Sequence, residues 1–176
     1  MKAISLWQPW ASLVALKLKT IETRGHDRFK GLVGQRIAIH AGRKFDMEGL
    51  LVSRLIDSGK FGHGLSALLA FENITRWALL TRGKILCTAR VEQAAWAWDL
   101  SNSGVELEGR TLCDVQDKFL IFLEDIETLP EPRWFKGRQG IFNVPEELIL
   151  SASASLREKN RTISRRGAET LRNDNT

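Results

Sequence analysis

The segment LWQPWASLVALKLKTIETR, residues 6–24, places three charged side chains, Lys19, Glu22 and Arg24, within six positions of one another and directly after an apolar run. Burying such a set without partners is costly, so the charges must neutralise one another or meet a polar ligand. A strand over TIETR turns Thr20, Glu22 and Arg24 to one face and Ile21 and Thr23 to the other. Glu22 and Arg24 then stand about 7 Å apart, with Lys19 at the strand's entrance. Two readings follow from the residues: a surface ion network, or a small site sharing a ligand.

The surrounding pattern is that of a mixed domain. Ala3 to Leu6 reads as a strand, Pro9 suits the first turn of a helix running to about Lys17, and RIAIHA from Arg36 alternates as a strand. FDMEGLLVSRLIDSGK carries Met47, Leu50, Leu51 and Leu55 at helical spacing and stops at Gly59. Phe61 to Thr81 has no clear period. GKILCTARVEQAAWAW, FLIFLEDIETL and GIFNV read as further strands, with Leu100 to Arg110 as an insertion between two of them. One early helix, few later ones and five to six strands predict an α+β fold, a small partly closed β-barrel with flanking helices rather than a doubly wound sheet.

Composition divides the chain near residue 150. Residues 151–176 hold six Arg or Lys against three acids and no aromatic residue, a basic segment expected to form a flexible tail, and residues 1–150 are expected to form one domain. About three of the five net positive charges belong to that tail, so a basic site on the domain has to come from local arrangement. The basic balance favours a polyanionic partner. Cys87 and Cys113 have neither disulfide-framework nor zinc spacing, and no apolar run reaches bilayer-spanning length, which points to the cytoplasm and away from membranes. The histidines His26, His40 and His63 lack metal-ligand spacing, and no phosphate loop or nucleophile elbow is present, so neither metal nor cofactor is expected. GHGL around His63 reads as a flexible turn, and Cys87, alternating with Ile85 and Ala89, as a small buried hydrophobe.

Trp7 and Trp10 bracket Gln8 and Pro9 near the mouth of the expected sheet, where an indole face can stack on a base. His40 is either a site residue or a satisfied core histidine.

ISLWQPWASLVALKLKTIETR followed by GQRIAIHAG resembles the start of the ASCH domain family, a branch of the PUA-like barrel superfamily with the signature G-x-K-x-x-E-x-R, and FLIFLEDIETLPEP to GRQGIFNVPEEL looks like its closing strands, as in short bacterial and phage members. The resemblance spans residues 1–150 apart from the stretch between Lys44 and Arg82. It implies a PUA-like barrel with a cleft at the motif, in a family proposed to bind RNA. The signature Lys, Glu and Arg fall on Lys19, Glu22 and Arg24, and the cleft is expected to hold single-stranded RNA or a modified nucleobase with the help of Trp7, Gln8, Trp10 and His40. The alternative is an enzyme, a ribonuclease or an amidohydrolase of the N4-acetylcytidine type, with Lys19 as general base and Glu22 as proton shuttle. In that amidohydrolase the residue three after the lysine is a threonine, whereas this chain has Glu22. Metal-assisted cleavage would need acids beyond Glu22, such as Glu92. The chain departs from the signature at its glycine, replaced by Lys17; a left-handed lysine costs roughly 1–2 kcal/mol, so either the helix is expected to run on or the turn to differ.

Overall fold

A computed structural model describes residues 1–46, 65–100, 107–113 and 115–150. The expected helix after Gly42, the GHGL turn at His63 and the basic segment 151–176 lie outside the described residues, as does part of the insertion after Leu100.

Among the described residues, six strands form one sheet: β1 (Lys2–Gln8), β2 (Ile21–Arg24), β3 (Arg36–Phe45), β4 (Lys84–Trp96), β5 (Phe119–Trp134) and β6 (Ile141–Asn143), in the spatial order β2-β5-β4-β3-β1-β6. Strands β1 and β3 run parallel, and each of the other neighbouring pairs is antiparallel. Alternation over RIAIHA and KILCTARV accounts for β3 and β4, whose Ile37, Ile39, Ala41, Leu86, Ala89 and Val91 face a common core. The register between β4 and β5 breaks at three places. Such bulges increase local twist, and they curl this sheet into an open half-barrel, so the fold is of the α+β class expected.

Three helices among the described residues accompany the sheet: α1 (Trp10–Ala15), α2 (Leu65–Leu80) and the single turn α3 (Glu108–Thr111). Helix α1 plugs the curl. Its Ala11, Val14 and Ala15 are buried in the barrel core, while Leu13 packs with Ile74 of α2 and with Leu112. The segment without a clear period, Phe61 to Thr81, contains α2 from Leu65 onward; its apolar residues do not fall on one narrow stripe, which hid the helix in the sequence.

Helix α1 ends before the expected Lys17, and neither alternative for that position holds. Lys17 adopts the left-handed conformation, with φ of 62°. Its N–H donates to the Val14 carbonyl at 2.9 Å and the Leu18 N–H to the Leu13 carbonyl at 2.9 Å, while Leu18 packs against Leu13. These bonds define a Schellman termination, which satisfies carbonyls that the helix end would leave orphaned. The turn keeps the geometry a glycine would give it and turns Lys19 inward, so Lys17 is exposed and strained while Lys19 is buried. Replacing Lys17 with glycine is expected to raise the unfolding free energy by roughly 1 kcal/mol, measurable by urea denaturation, because left-handed strain is relieved at a position with no side-chain burial to lose.

Candidate nucleic-acid interface

The charged triplet is an interior network rather than an exposed patch. Lys19 is 1% exposed. Its three N–H donors face the Thr111 carbonyl, to which it hydrogen-bonds, the Cys113 Sγ at 3.6 Å and the Glu22 Oε2 at 3.9 Å, and its ammonium lies 5.2 Å from the centre of the Trp10 ring. Glu22 Oε1 lies 3.2 Å from Arg24 Nε. That guanidinium nitrogen is buried and off the line of a hydrogen bond, so the pair is held by charge, while Arg24 Nη2 donates to the Ser5 carbonyl at 2.8 Å and the guanidinium sits 5.0 Å from the Phe29 ring centre. Glu22 and Arg24 therefore pair directly, closer than the spacing of about 7 Å that their backbone positions implied.

Arg24 is where this network reaches the surface. The Arg24–Ser5 bond spans from edge strand β2 to β1, and the open side of the curl there is a groove of about 970 Å³. Ser5 and Trp7 of β1, Arg24 of β2, and His40, Arg43 and Lys44 of β3 form part of its lining. Trp134 at the end of β5 and the turn after it, with Phe135, Lys136 and Arg138, supply most of the rest, and Gly42 and Gly83 also line the groove. Five cations and three aromatic rings thus share the lining, with no carboxylate among the described residues there. Trp7 is 52% exposed, with the Lys44 ammonium 5.0 Å from its ring centre, and Trp134 is 63% exposed. Exposed indoles of this kind are available for stacking.

Of the residues expected to bind a ligand, Trp7, Arg24 and His40 line the groove, whereas Gln8, Trp10, Lys19 and Glu22 do not. Gln8 is fully buried: its amide donates to the Ala78 carbonyl at 3.1 Å and the Thr81 hydroxyl at 3.0 Å, and its oxygen accepts from the Ser12 N–H and hydroxyl. Both ends of the side chain are committed to tying β1 to α1 and α2. Trp10 donates from Nε1 to Asp46 Oδ2 at 3.0 Å and packs on the core. Lys19 and Glu22, expected as general base and proton shuttle in the enzyme alternative, are buried and engaged by protein groups. Arg43, Lys44 and the WFKGRQG turn were not among the residues expected to bind, although that turn interleaves aromatic, basic and glycine residues in plain view.

His40 joins the two walls of the groove. It is buried, with Nδ1 2.9 Å from the Ser5 hydroxyl and Nε2 3.0 Å from the Phe135 carbonyl, and the Ser5 hydroxyl is also 3.0 Å from the Arg138 carbonyl. Burial lowers its pKa from the ordinary 6.5, partly opposed by the Phe135 and Gly83 carbonyls that favour the protonated ring. Gly137 lies flat against this ring, and a Cβ there would stand 2.2 Å from a ring carbon.

Cys87 is an interior thiol, pushed up to about 12 by burial, in keeping with the small hydrophobe expected. Glu92, considered as a further acid, lies in an exposed cluster with Arg90, Glu124 and Asp125, where a hydrogen bond to Glu124 raises its pKa. No group of three or more metal-ligating side chains occurs among the described residues, and no helix among them is long and apolar enough to cross a membrane.

No family model matches the chain, and no curated protein sequence does. It is similar to three crystal structures of the ASCH protein from Zymomonas mobilis. The unaltered protein shares 15% identity and a TM-score of 0.46 over 88% of this chain and 94% of that one. A serine-to-alanine variant and a tyrosine-to-phenylalanine variant each share 14% identity and a TM-score of 0.48 over 87% of this chain, and over 94% and 96% of theirs.

Two substitutions probe the site. Glu22→Ala leaves Lys19 and Arg24 without their shared counterion in the interior and is expected to cost roughly 3 kcal/mol in urea unfolding. Gly137→Ala forces the turn away from His40, so heteronuclear NMR is expected to show shifts concentrated at residues 134–140 and at the His40 ring.

Proposed function

We propose that this chain binds single-stranded RNA through the groove between β1, β2 and the turn after β5. The observation that carries the reading is the lining itself: Arg24, Arg43, Lys44, Lys136 and Arg138 together with Trp7, Trp134 and Phe135, and no acid among the described residues. Cations attract the phosphodiester backbone irrespective of sequence, and exposed rings take unstacked bases for about 1–3 kcal/mol each. A duplex offers no free base faces to such rings, which favours unpaired strands. A volume of about 970 Å³ has room for more than one nucleotide, so an oligonucleotide fits better than a free modified nucleoside. Lys19 and Glu22 support this site from beneath by fixing Arg24. The basic segment 151–176 adds salt-sensitive, sequence-independent attraction. The two free thiols agree with a reducing, cytoplasmic setting.

Fluorescence anisotropy with a labelled single-stranded RNA tests the proposal. Trp134→Ala is expected to weaken binding by about 1–3 kcal/mol. Arg43→Ala and Arg138→Ala are each expected to weaken it and to flatten the dependence of log affinity on log salt by about 0.7 for each phosphate no longer neutralised. Affinity unaltered by all three substitutions would place the binding surface elsewhere.

A further inference from the structure

The hydrogen bonds around His40 do not balance when its ring is neutral. Three links join the ring and the turn: Nε2 to the Phe135 carbonyl, Nδ1 to the Ser5 hydroxyl, and the Ser5 hydroxyl to the Arg138 carbonyl. Carbonyls only accept, so Nε2 must carry the proton of a neutral imidazole and Nδ1 must accept. Ser5 then has one proton for two acceptors, Nδ1 and the Arg138 carbonyl, and one link is always missing. An imidazolium removes the shortage, since Nδ1–H donates to Ser5 and Ser5 donates to Arg138. All three links then hold the turn that carries Lys136 and Arg138.

Burial opposes protonation, and the side chains that line the groove offer no anion to offset it. Every charged side chain that lines the groove with His40, among the described residues, is a cation: Arg24 from β2, Arg43 and Lys44 from β3, Lys136 and Arg138 from the turn. Ser5 of β1 and Phe142 of β6, the latter with its ring centre 5.9 Å away, and Ile85, the register partner of His40 on β4, are uncharged, while the Gly83 carbonyl before β4 favours the protonated ring as the Phe135 carbonyl does. In the empty groove the ring therefore stays neutral above its lowered pKa. A polyanion lying along the cations reverses the sign of the local field, while the surplus of acceptors around Ser5 is already in place to receive the proton.

We infer that His40 is a positioning residue whose protonation is coupled to occupancy of the groove, so that binding of a single-stranded polyanion takes up a proton and locks the turn 135–138. The inference rests on the RNA-binding reading of the same groove. The ring's pKa is lower in the free protein and higher in the complex. The extra affinity is therefore fully present below the free value and is lost as pH rises through the bound value. Between the two, affinity changes by up to about tenfold per pH unit.

Isothermal titration calorimetry with a ten-residue oligouridylate bearing hydroxyl ends tests this, because neither uracil nor a phosphodiester titrates between about pH 5.5 and 8, the range in which a histidine does. Titrations at one pH in two buffers of different ionisation enthalpy count the protons. The wild-type chain is expected to take up close to one proton within the window, and His40→Gln none, its affinity being insensitive to pH. His26→Gln is expected to behave as wild type, since His26 stacks on Phe29 outside the groove lining. NMR titration of the His40 ring in the wild-type chain gives the same answer without a variant, as a rise in its pKa on adding oligouridylate. Binding with no proton uptake, or equal uptake in His40→Gln, overturns the coupling and leaves the groove as the binding site. Absence of binding to the wild-type chain at low salt overturns both.

Discussion

The architecture of this protein depends on one buried carboxylate. Glu22, at the start of an edge strand, holds Lys19 on one side and Arg24 on the other, and each cation is fixed further by a backbone carbonyl. Ions taken out of water need this degree of pairing, because the attraction of a lone pair does not offset desolvation. The consequence is positional: Arg24 is pinned across the gap between β2 and β1, which is the gap that forms the groove. Motif and groove are thus connected by a single guanidinium.

The left-handed turn at Lys17 shows how local strain serves that network. A Schellman termination stops α1 after Ala15 and reverses the chain so that Lys19 enters the interior. Thr128 of β5 donates to the Ala15 carbonyl, which ties the same helix end to the sheet. Gln8 performs the equivalent task at the other end of α1. Its four hydrogen bonds reach α1, α2 and Thr81 just beyond it, so the WQPW segment positions the plug of the barrel while its first tryptophan faces outward. Residues that sit side by side in sequence divide in this way between scaffold and surface.

The groove follows a different logic. Its cations come from β2, β3 and the turn after β5, segments well separated along the chain. The turn is seated on His40 through carbonyls rather than side chains, and Gly137 is required there because any Cβ would collide with the ring. Two walls that carry like charges are held together by the hydrogen bonds of one buried histidine.

Strands and the inner set of charges were legible in the linear pattern. Alternation in RIAIHA and GKILCTARV gives β3 and β4 directly, since a period of two has one buried face, and the KTIETR spacing alone puts Glu22 and Arg24 on one side. The same alternation marks Cys87 as core. Helix α2 was illegible because its apolar residues fall on more than one side. Which of the motif's residues meet solvent emerged from the tertiary arrangement alone: Gln8, Trp10 and Lys19 are engaged by segments distant in the chain, Glu22 is enclosed with its neighbours Lys19 and Arg24 as partners, and Arg24 emerges beside Arg43, Lys136 and Arg138. The physical reason is that burial and field are sums over neighbours in space. A linear pattern can require that charges be paired, but it does not say by whom.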